Sequence, residues 1–490
     1  MTPKGPTMIF TRMSESSFRL NRRVVPLTGS DSRESLLRWL RRERLTGTKE
    51  GCGDGDCGAC TVALVERDSD GRAHFRAVNA CLLPMGMLAG REVLTVEALA
   101  EEGTLHPVQQ ALVDCAGSQC GYCTPGFAMS LFAGWYAGEF DDHVIEGNLC
   151  RCTGYAPIRR AAAQLAAMPR ASDRFSALLD AASTAPAGEP PHDTPGCMAL
   201  SPPPRTAESR GEGGPPFHRP STLAEAFALK TTHPQAIWFC GGTDLGVALS
   251  RGQSVASAFI AVDRLTELHT LDVRADAVRI GAGVPLSRLE RELAGVFPAL
   301  DRMLPWFAAR QVKNRATLGG NLGSASPIGD LLPWLLAHGA IIEVAGPRGA
   351  RELPVDGYFQ AYRKTARADD ELIVAVRVPR LAGPQAAYKV AKRQTDDISI
   401  VAAVYALILG DDGRVERARL AYGGVAAIPL RARRTEDFLL GRALDATTVA
   451  QACALLRAEF TPLDDHRASA DYRRELCAAL FAKFVEEGVT

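Results

Sequence analysis

Nine of the thirteen cysteines lie between Cys52 and Cys152, and eight of them fall into two patterns. Cys52, Cys57 and Cys60 stand as C-x4-C-x2-C, and Cys81 follows after a strand-length gap. This is the plant-type ligand spacing for a [2Fe-2S] cluster. The residues between, Gly53, Asp54, Gly55, Asp56, Gly58 and Ala59, are small enough for a loop to fold around a cluster with its N–H groups turned toward the sulfurs. Gly53, Gly55 and Gly58 also satisfy G-x-G-x-x-G, but no βαβ unit surrounds them, so a dinucleotide reading is set aside. The second pattern pairs Cys120-x2-Cys123 with Cys150-x-Cys152. Four soft thiolates suit zinc or iron–sulfur. The C-x-C half-site, unusual for a zinc ribbon, and the neighbouring redox pattern favour iron–sulfur. Cys115 lies outside both patterns and reads as a packed helix residue. Cys197, Cys240, Cys453 and Cys477 read as small buried apolar residues. With no export signal visible, disulfide pairing is disfavoured.

Two glycine blocks carry a different chemistry. Phe239-Cys240-Gly241-Gly242-Thr243-Asp244-Leu245-Gly246 follows a strand candidate and opens a helix, so its backbone N–H groups and the Thr243 hydroxyl can donate to a pyrophosphate. Cys240 would contribute only its backbone. The second block runs from Thr317 through Gly319, Gly320, Asn321 and Ser326 to Asp330, a carboxylate suited to ribose or adenine hydroxyls. Together the blocks predict an adenine dinucleotide.

These residues must be positioned by several domains, since 490 residues correspond to roughly three domains. Lysine plus arginine and aspartate plus glutamate both number 56, so no basic field exists to hold nucleic acid or an anionic membrane. No apolar run approaches a membrane span, and a soluble, cytoplasmic protein is expected. The spacing predicts a strand over Phe18–Leu27 pairing with Thr61–Arg67, and between them a helix capped by Ser32. Helices are predicted over Val108–Cys115, Phe127–Tyr136 and Ile158–Met168. A proline-rich linker is predicted from about Pro169 to Pro220. Strands at Ile237–Phe239, Ala258–Val262, Val278–Ile280 and Ile341–Val344, with helices at Thr222–Thr231 and Leu286–Leu293, predict a mixed α/β domain. The last segment offers strands at Ile400–Leu407 and Val415–Tyr422, then helices at Val449–Glu459 and Ala470–Glu486.

Four runs resemble the iron–sulfur domains of the molybdenum hydroxylases: Glu50-Gly51-Cys52-Gly53, Gly58-Ala59-Cys60-Thr61, Gly117 to Gly126 around Cys120 and Cys123, and Gly147 to Tyr155 around Cys150 and Cys152. The glycine blocks, with Phe307 in Trp306-Phe307-Ala308-Ala309-Arg310, resemble the flavin domain of xanthine dehydrogenases within that family. The resemblance implies a multidomain α+β chain: a β-grasp plant-type ferredoxin domain over 14–100, a helical [2Fe-2S] bundle over 101–168, a linker over 169–216, an α/β FAD-binding domain of the vanillyl-alcohol-oxidase-like type over 217–385, and an α+β C-terminal domain over 386–490. It implies FAD contacts at Phe239, Cys240, Gly241, Gly242, Thr243, Asp244, Leu245, Gly246, Phe307, Asn321, Ser326, Asp330, Ile373 and Lys389. Tyr362 would sit near the flavin ring where nicotinamide stacks, with the acidic pair Asp396 and Asp397 nearby, and Gln119 would touch a molybdopterin. The implied role is the small electron-transferring subunit of a xanthine dehydrogenase, passing electrons through two clusters and FAD to NAD+ as purines are oxidised. No length remains for a molybdopterin domain, so a molybdopterin-binding large subunit is the expected partner, with a heterotetramer as the expected assembly. No catalytic base for hydroxylation is expected in this chain. An equivalent subunit acting on aldehydes or N-heterocycles is the alternative, and a zinc-stabilised interaction module the remote one.

Overall fold

The computed structural model describes residues 17–68, 70–184, 214–253, 256–393 and 395–488. The greater part of the expected linker, with Cys197, lies outside them. The chain forms two compact units, one of residues up to 215 together with 246–253, the other of 216–245 together with residues from 254 onward.

The first unit opens on a five-stranded sheet of β1 (Ser17–Leu20), β2 (Arg23–Pro26), β3 (Thr61–Arg67), β4 (Ala73–Asn79) and β5 (Glu92–Leu94), in the order β2-β1-β5-β3-β4. The predicted single strand from Phe18 breaks into a hairpin because Asn21 (φ 52°) and Arg22 (φ 68°) both take the left-handed conformation of a two-residue turn. The predicted pairing of this strand with Thr61–Arg67 is also corrected. β5 lies between them, parallel to β1 and antiparallel to β3, and its three buried residues are too short a run to read as a strand beforehand. The first helix is Leu36–Arg42, and its cap is Ser35, which accepts from Arg38 N at 3.3 Å. Ser32 instead donates its hydroxyl to the Pro215 carbonyl at 2.6 Å.

Helices Pro107–Asp114, Thr124–Ala137 and Ala156–Ala167 follow as predicted, within two or three residues at their ends. Thr124–Ala137 packs on β3 and β4 and is buried on nearly every residue from Gly126 to Trp135, so it shows no amphipathic stripe. A further helix, Arg174–Thr184, occupies the start of the expected linker. Its Phe175, Leu178 and Ala182 are buried at helical spacing. Phe175 meets Phe132 edge-on at a centroid distance of 4.9 Å, and Phe75 and Tyr136 complete the cluster. Such ring pairs add about 0.5–1.5 kcal/mol each beyond area burial.

The second unit holds three main sheets. Phe217–His218, Phe259–Ala261 and Ile237–Phe239 pair in parallel. An antiparallel sheet runs Gly349–Pro354, Ile341–Gly346, Leu372–Pro379, Ala277–Gly281, Leu271–Val273. A third, antiparallel, is ordered Gln385–Val390, Val401–Leu409, Val415–Gly423, Leu430–Arg431, and shares a core with helices Ala446–Arg457 and Ala470–Gly488. The chain is thus a multidomain α+β protein. No helix of the described residues is long and apolar enough to cross a membrane.

Among the described residues, His106 in the first unit and His338 in the second are buried and held neutral. His106 Nδ1 accepts from Val108 N at 3.2 Å, and its Nε2 lies 3.0 Å from the Tyr136 hydroxyl, which itself donates to Asp173. A proton on Nδ1 would abolish the helix cap, and burial holds this imidazole down to about 4. His338 Nδ1 faces the Pro379 carbonyl at 2.9 Å while Nε2 is buried with no partner among the described residues, and burial lowers it to about 4 as well. Between pH 6.5 and 4 the unfolded chain gains protons that the folded chain refuses, so stability is full above this window and falls through it. The loss is about 3 kcal/mol per histidine at the acid end. Thermal melting from pH 7 to 4 should show this decline, and His106→Gln and His338→Gln should each flatten it. Equal slopes in all three proteins would sink the assignment.

Candidate metal and flavin sites

The first cysteine loop turns through left-handed glycines. Gly58 (φ +64°) is confined further, since a Cβ there would lie 2.0 Å from the Gly147 carbonyl oxygen. Asn79, buried at the end of β4, donates to the Gly55 carbonyl at 2.9 Å and fixes the middle of the loop. The thiols meet in twos. Cys52 and Cys57 each receive the other's backbone N–H at 3.3 Å, and their side chains are within hydrogen-bonding reach. The Cys60 and Cys81 side chains are likewise within hydrogen-bonding reach of each other.

The second set sits at the ends of helices Pro107–Asp114, Thr124–Ala137 and Ala156–Ala167, where Cys123 pairs with Cys150 and Cys120 with Cys152. Cys150 receives the Thr153 N–H at 3.4 Å and lies 3.2 Å from the Thr153 hydroxyl. Asn148 joins the two sets. It donates to the Gly58 carbonyl at 2.9 Å, accepts from Ser130 at 2.7 Å, and is followed by Leu149, whose N–H reaches the Cys57 carbonyl at 2.9 Å.

Paired thiols cannot both ionise without a cation. Hydrogen bonding from Cys52 holds Cys57 down to about 6 and pushes Cys52 itself far up. Burial and then Cys150 push Cys123 up to about 12. Burial opposes the Cys150 thiolate, but Thr153 keeps it below the ordinary range. A metal ion between two thiolates removes this conflict. Among the described residues no three histidine, cysteine or acidic side chains converge as ligands of one ion. Four thiols in two pairs are the donor set of a cluster with two metal ions, two thiolates on each.

Gln119 is exposed beside Cys120, as are Tyr122 and Leu149. Tyr122 donates its hydroxyl to the Glu50 carbonyl, a second tie between the two cysteine sets.

In the second unit, the first glycine block follows strand Ile237–Phe239. The Phe239 ring is buried against Phe217 and Phe259, and Cys240 packs against the core around Ile260 and Val262, its thiol pushed up to about 11 by burial. Both residues therefore have only backbone to offer. Gly241 is required by space, since a Cβ would lie 1.8 Å from the Arg315 carbonyl oxygen, and Gly242 (φ +79°) by conformation. Thr243 is half-buried, and Leu245 begins the next helix. Asp244 is exposed and 3.4 Å from Arg363. Tyr362, the neighbour of Arg363, is 64% exposed at the tip of hairpin Phe359–Thr365.

The second block is helix Leu318–Ser324, capped by Thr317, which accepts from Gly320 N at 3.0 Å. The Oδ1 of Asn321 is buried without a partner among the described residues, an acceptor left for a ligand's donor. Gly323 has nothing within 4 Å of where a Cβ would be. The open space, the orphaned amide and the close-approach glycines fit a nucleotide cofactor. Ser326 accepts from Gly329 N through its carbonyl at 3.0 Å.

Five residues among the predicted contacts are engaged with groups of the protein itself. Asp330 is buried, with one oxygen 2.9 Å from Lys389 Nζ and the other accepting from Ser399. Ile373 is a core residue of strand Leu372–Pro379, and Phe307 packs against the same core. Gly246 faces Leu82 of the first unit, where a Cβ would lie 2.5 Å from the Leu82 carbonyl oxygen. Ser399 was missed because nothing local marks a residue whose partner is 69 positions away. Thr317, the first residue of the second block, has the signature of a threonine cap before a helix.

Four domain families match in succession: the 2Fe-2S iron-sulfur cluster binding domain over residues 19–86, the [2Fe-2S] binding domain over 95–163, the FAD binding domain in molybdopterin dehydrogenase over 209–381, and the CO dehydrogenase flavoprotein C-terminal domain over 386–488. Xanthine dehydrogenase 1 of Arabidopsis thaliana is 32% identical over 94% of this chain and 39% of its own length. The xanthine dehydrogenase/oxidase of Mus musculus is 32% identical over 97% of this chain and 39% of its own. The chain thus spans about two fifths of the length of these relatives. A solved Cu,Mo-CO dehydrogenase chain superposes with a TM-score of 0.53 at 27% identity, covering 56% of this chain and 97% of that one. A chain of quinoline 2-oxidoreductase from Pseudomonas putida 86 does so with a TM-score of 0.53 at 26% identity, covering 56% and 97%. With all four domains matched and these relatives sharing them, the chain belongs to the molybdenum hydroxylase family, as its iron–sulfur and flavin electron-transfer module.

Proposed function

We propose that this chain carries electrons from a molybdopterin centre on a partner polypeptide, through clusters held by Cys120, Cys123, Cys150 and Cys152 and by Cys52, Cys57, Cys60 and Cys81, to FAD and on to NAD+, in a cytoplasmic xanthine dehydrogenase. The observation that carries this is the pairing of all eight thiols, two by two, in loops joined through Asn148. When bound, the clusters pass single electrons, and the flavin collects two and releases them as a hydride. The chain's own part is to hold the two clusters at a fixed separation: Asn148 and Tyr122 lock the two cysteine sets together, while Thr153 and the loop amides donate to sulfur and so stabilise its negative charge. Exposed Gln119, Cys120 and Cys152 face outward, where a molybdopterin-binding subunit would dock, and a heterotetramer would follow from two such pairs. In the flavin half, Gly241, Gly242 and Thr243 would hold the pyrophosphate, with Asn321 Oδ1 accepting from the cofactor. Exposed Tyr362, beside the Arg363–Asp244 pair, would offer its ring to nicotinamide.

The purine reading is supported by the similarity of xanthine dehydrogenases over 94% of this chain, and the aldehyde and N-heterocycle reading is the alternative that the test separates. The test is the iron, acid-labile sulfide, zinc and flavin content of the protein purified with its partner, then its turnover of xanthine against quinoline and aldehydes. Two clusters require about four irons per chain. Cys150→Ser should remove about two of them and stop xanthine-to-NAD+ transfer while FAD stays bound. Zinc without sulfide would overturn the reading.

A further inference from the structure

Ser250 and Arg251 follow the first glycine block by a few residues, yet they meet the first cysteine loop. Ser250 Oγ donates to the Gly53 carbonyl at 2.7 Å, and Arg38 Nη2 donates to the Ser250 carbonyl at 2.7 Å. One residue on, Arg251 Nη2 lies 2.8 Å from Asp54 Oδ2. Gly53 and Asp54 directly follow Cys52, and the Asp54 carboxylate also faces the Cys52 thiol. A carboxylate so close to a thiolate ligand repels every further negative charge placed in the loop. Arg251 is the cation that offsets it.

We propose that the Arg251–Asp54 pair sets the reduction equilibrium of the cluster at Cys52, Cys57, Cys60 and Cys81, with Ser250 latching the pair against the loop. This rests on those cysteines being cluster ligands. Reduction adds one electron, which Asp54 repels and Arg251 attracts, so the two side chains act with opposite sign. Their exposures are 22% and 54%, so solvent screens both and each is worth a modest factor. Arg251→Gln should disfavour reduction about threefold, roughly 30 mV for a one-electron couple in which tenfold is about 59 mV. Asp54→Asn should favour it by a similar factor, the double variant should return close to the parent value, and Arg251→Lys should preserve it.

The experiment is a redox titration of the protein with its partner, following the electron paramagnetic resonance of each reduced cluster, with the second cluster as internal reference. Single variants that shift in opposite directions and cancel in the double establish the pair. Shifts in the same direction would mean that the pair only holds the loop, and unmoved potentials with a full complement of iron and sulfide would likewise overturn the inference alone. Protein without acid-labile sulfide would overturn the ligand reading along with it.

Discussion

Gly58→Ala is expected to cost about 3–5 kcal/mol and to strip iron from both cysteine sets. The left-handed backbone alone costs an alanine roughly 1–2 kcal/mol. The remainder is steric: the new methyl carbon would stand 2.0 Å from the Gly147 carbonyl oxygen, and this neighbour is backbone that must shift as a unit. That shift would part Asn148 from the Gly58 carbonyl and Leu149 N–H from the Cys57 carbonyl, the bonds through which the two loops hold each other. Helix Thr124–Ala137 would be disturbed too, because Gly126 approaches the Gly58 carbonyl from the other side, where a Cβ would lie 2.3 Å away. Gly71→Ala is the matched control, with φ +83° and nothing within 4 Å of the added atom. It should pay only the backbone cost and keep its iron. Iron and sulfide content with thermal melting measure both, and indistinguishable behaviour of the two variants would remove the steric argument.

Gly241→Ala is expected to lower bound FAD at least tenfold while leaving about four irons per chain. Its Cβ would lie 1.8 Å from the Arg315 carbonyl oxygen, so the strand-to-helix turn must open, and the N–H groups of Gly242 and Thr243 would lose their aim. A tenfold loss of affinity corresponds to about 1.4 kcal/mol, within the 1–3 kcal/mol typical of overpacking. The two units divide the effect, since Gly241 and Arg315 belong to one and all eight paired cysteines to the other. Gly323→Ala separates cofactor loss from loop damage. Its added methyl meets no protein atom within 4 Å, so FAD loss there with unchanged melting would place the cofactor over the helix. Flavin absorbance after gel filtration reads both, and full FAD in Gly241→Ala would mean that this loop does not hold the pyrophosphate.

Cys52 to Cys152 and the two glycine blocks were legible in the sequence because ligand type, spacing and absence of side chain are local properties. The same holds for helices with a clear stripe or cap, such as Leu223–Thr232 with Thr222 at its start. Helix Arg174–Thr184 was hidden by the proline-rich composition that follows it, although Phe175, Leu178 and Ala182 already had helical spacing. The insertion of β5 beside β1 was illegible, since three buried residues carry no period and register depends on partners distant in the chain.

By itself, then, the sequence determined which atoms can bind iron, and where backbone can approach a phosphate, because those capacities belong to single residues and their nearest neighbours. Tertiary structure alone decided which thiol faces which, that Asp330 spends its charge on Lys389 and Ser399, that Ile373 is core, and that Arg251 reaches Asp54. These are pairings across 5 to 197 positions. Burial and charge compensation choose them only after the chain has folded, when every buried polar group must find a partner.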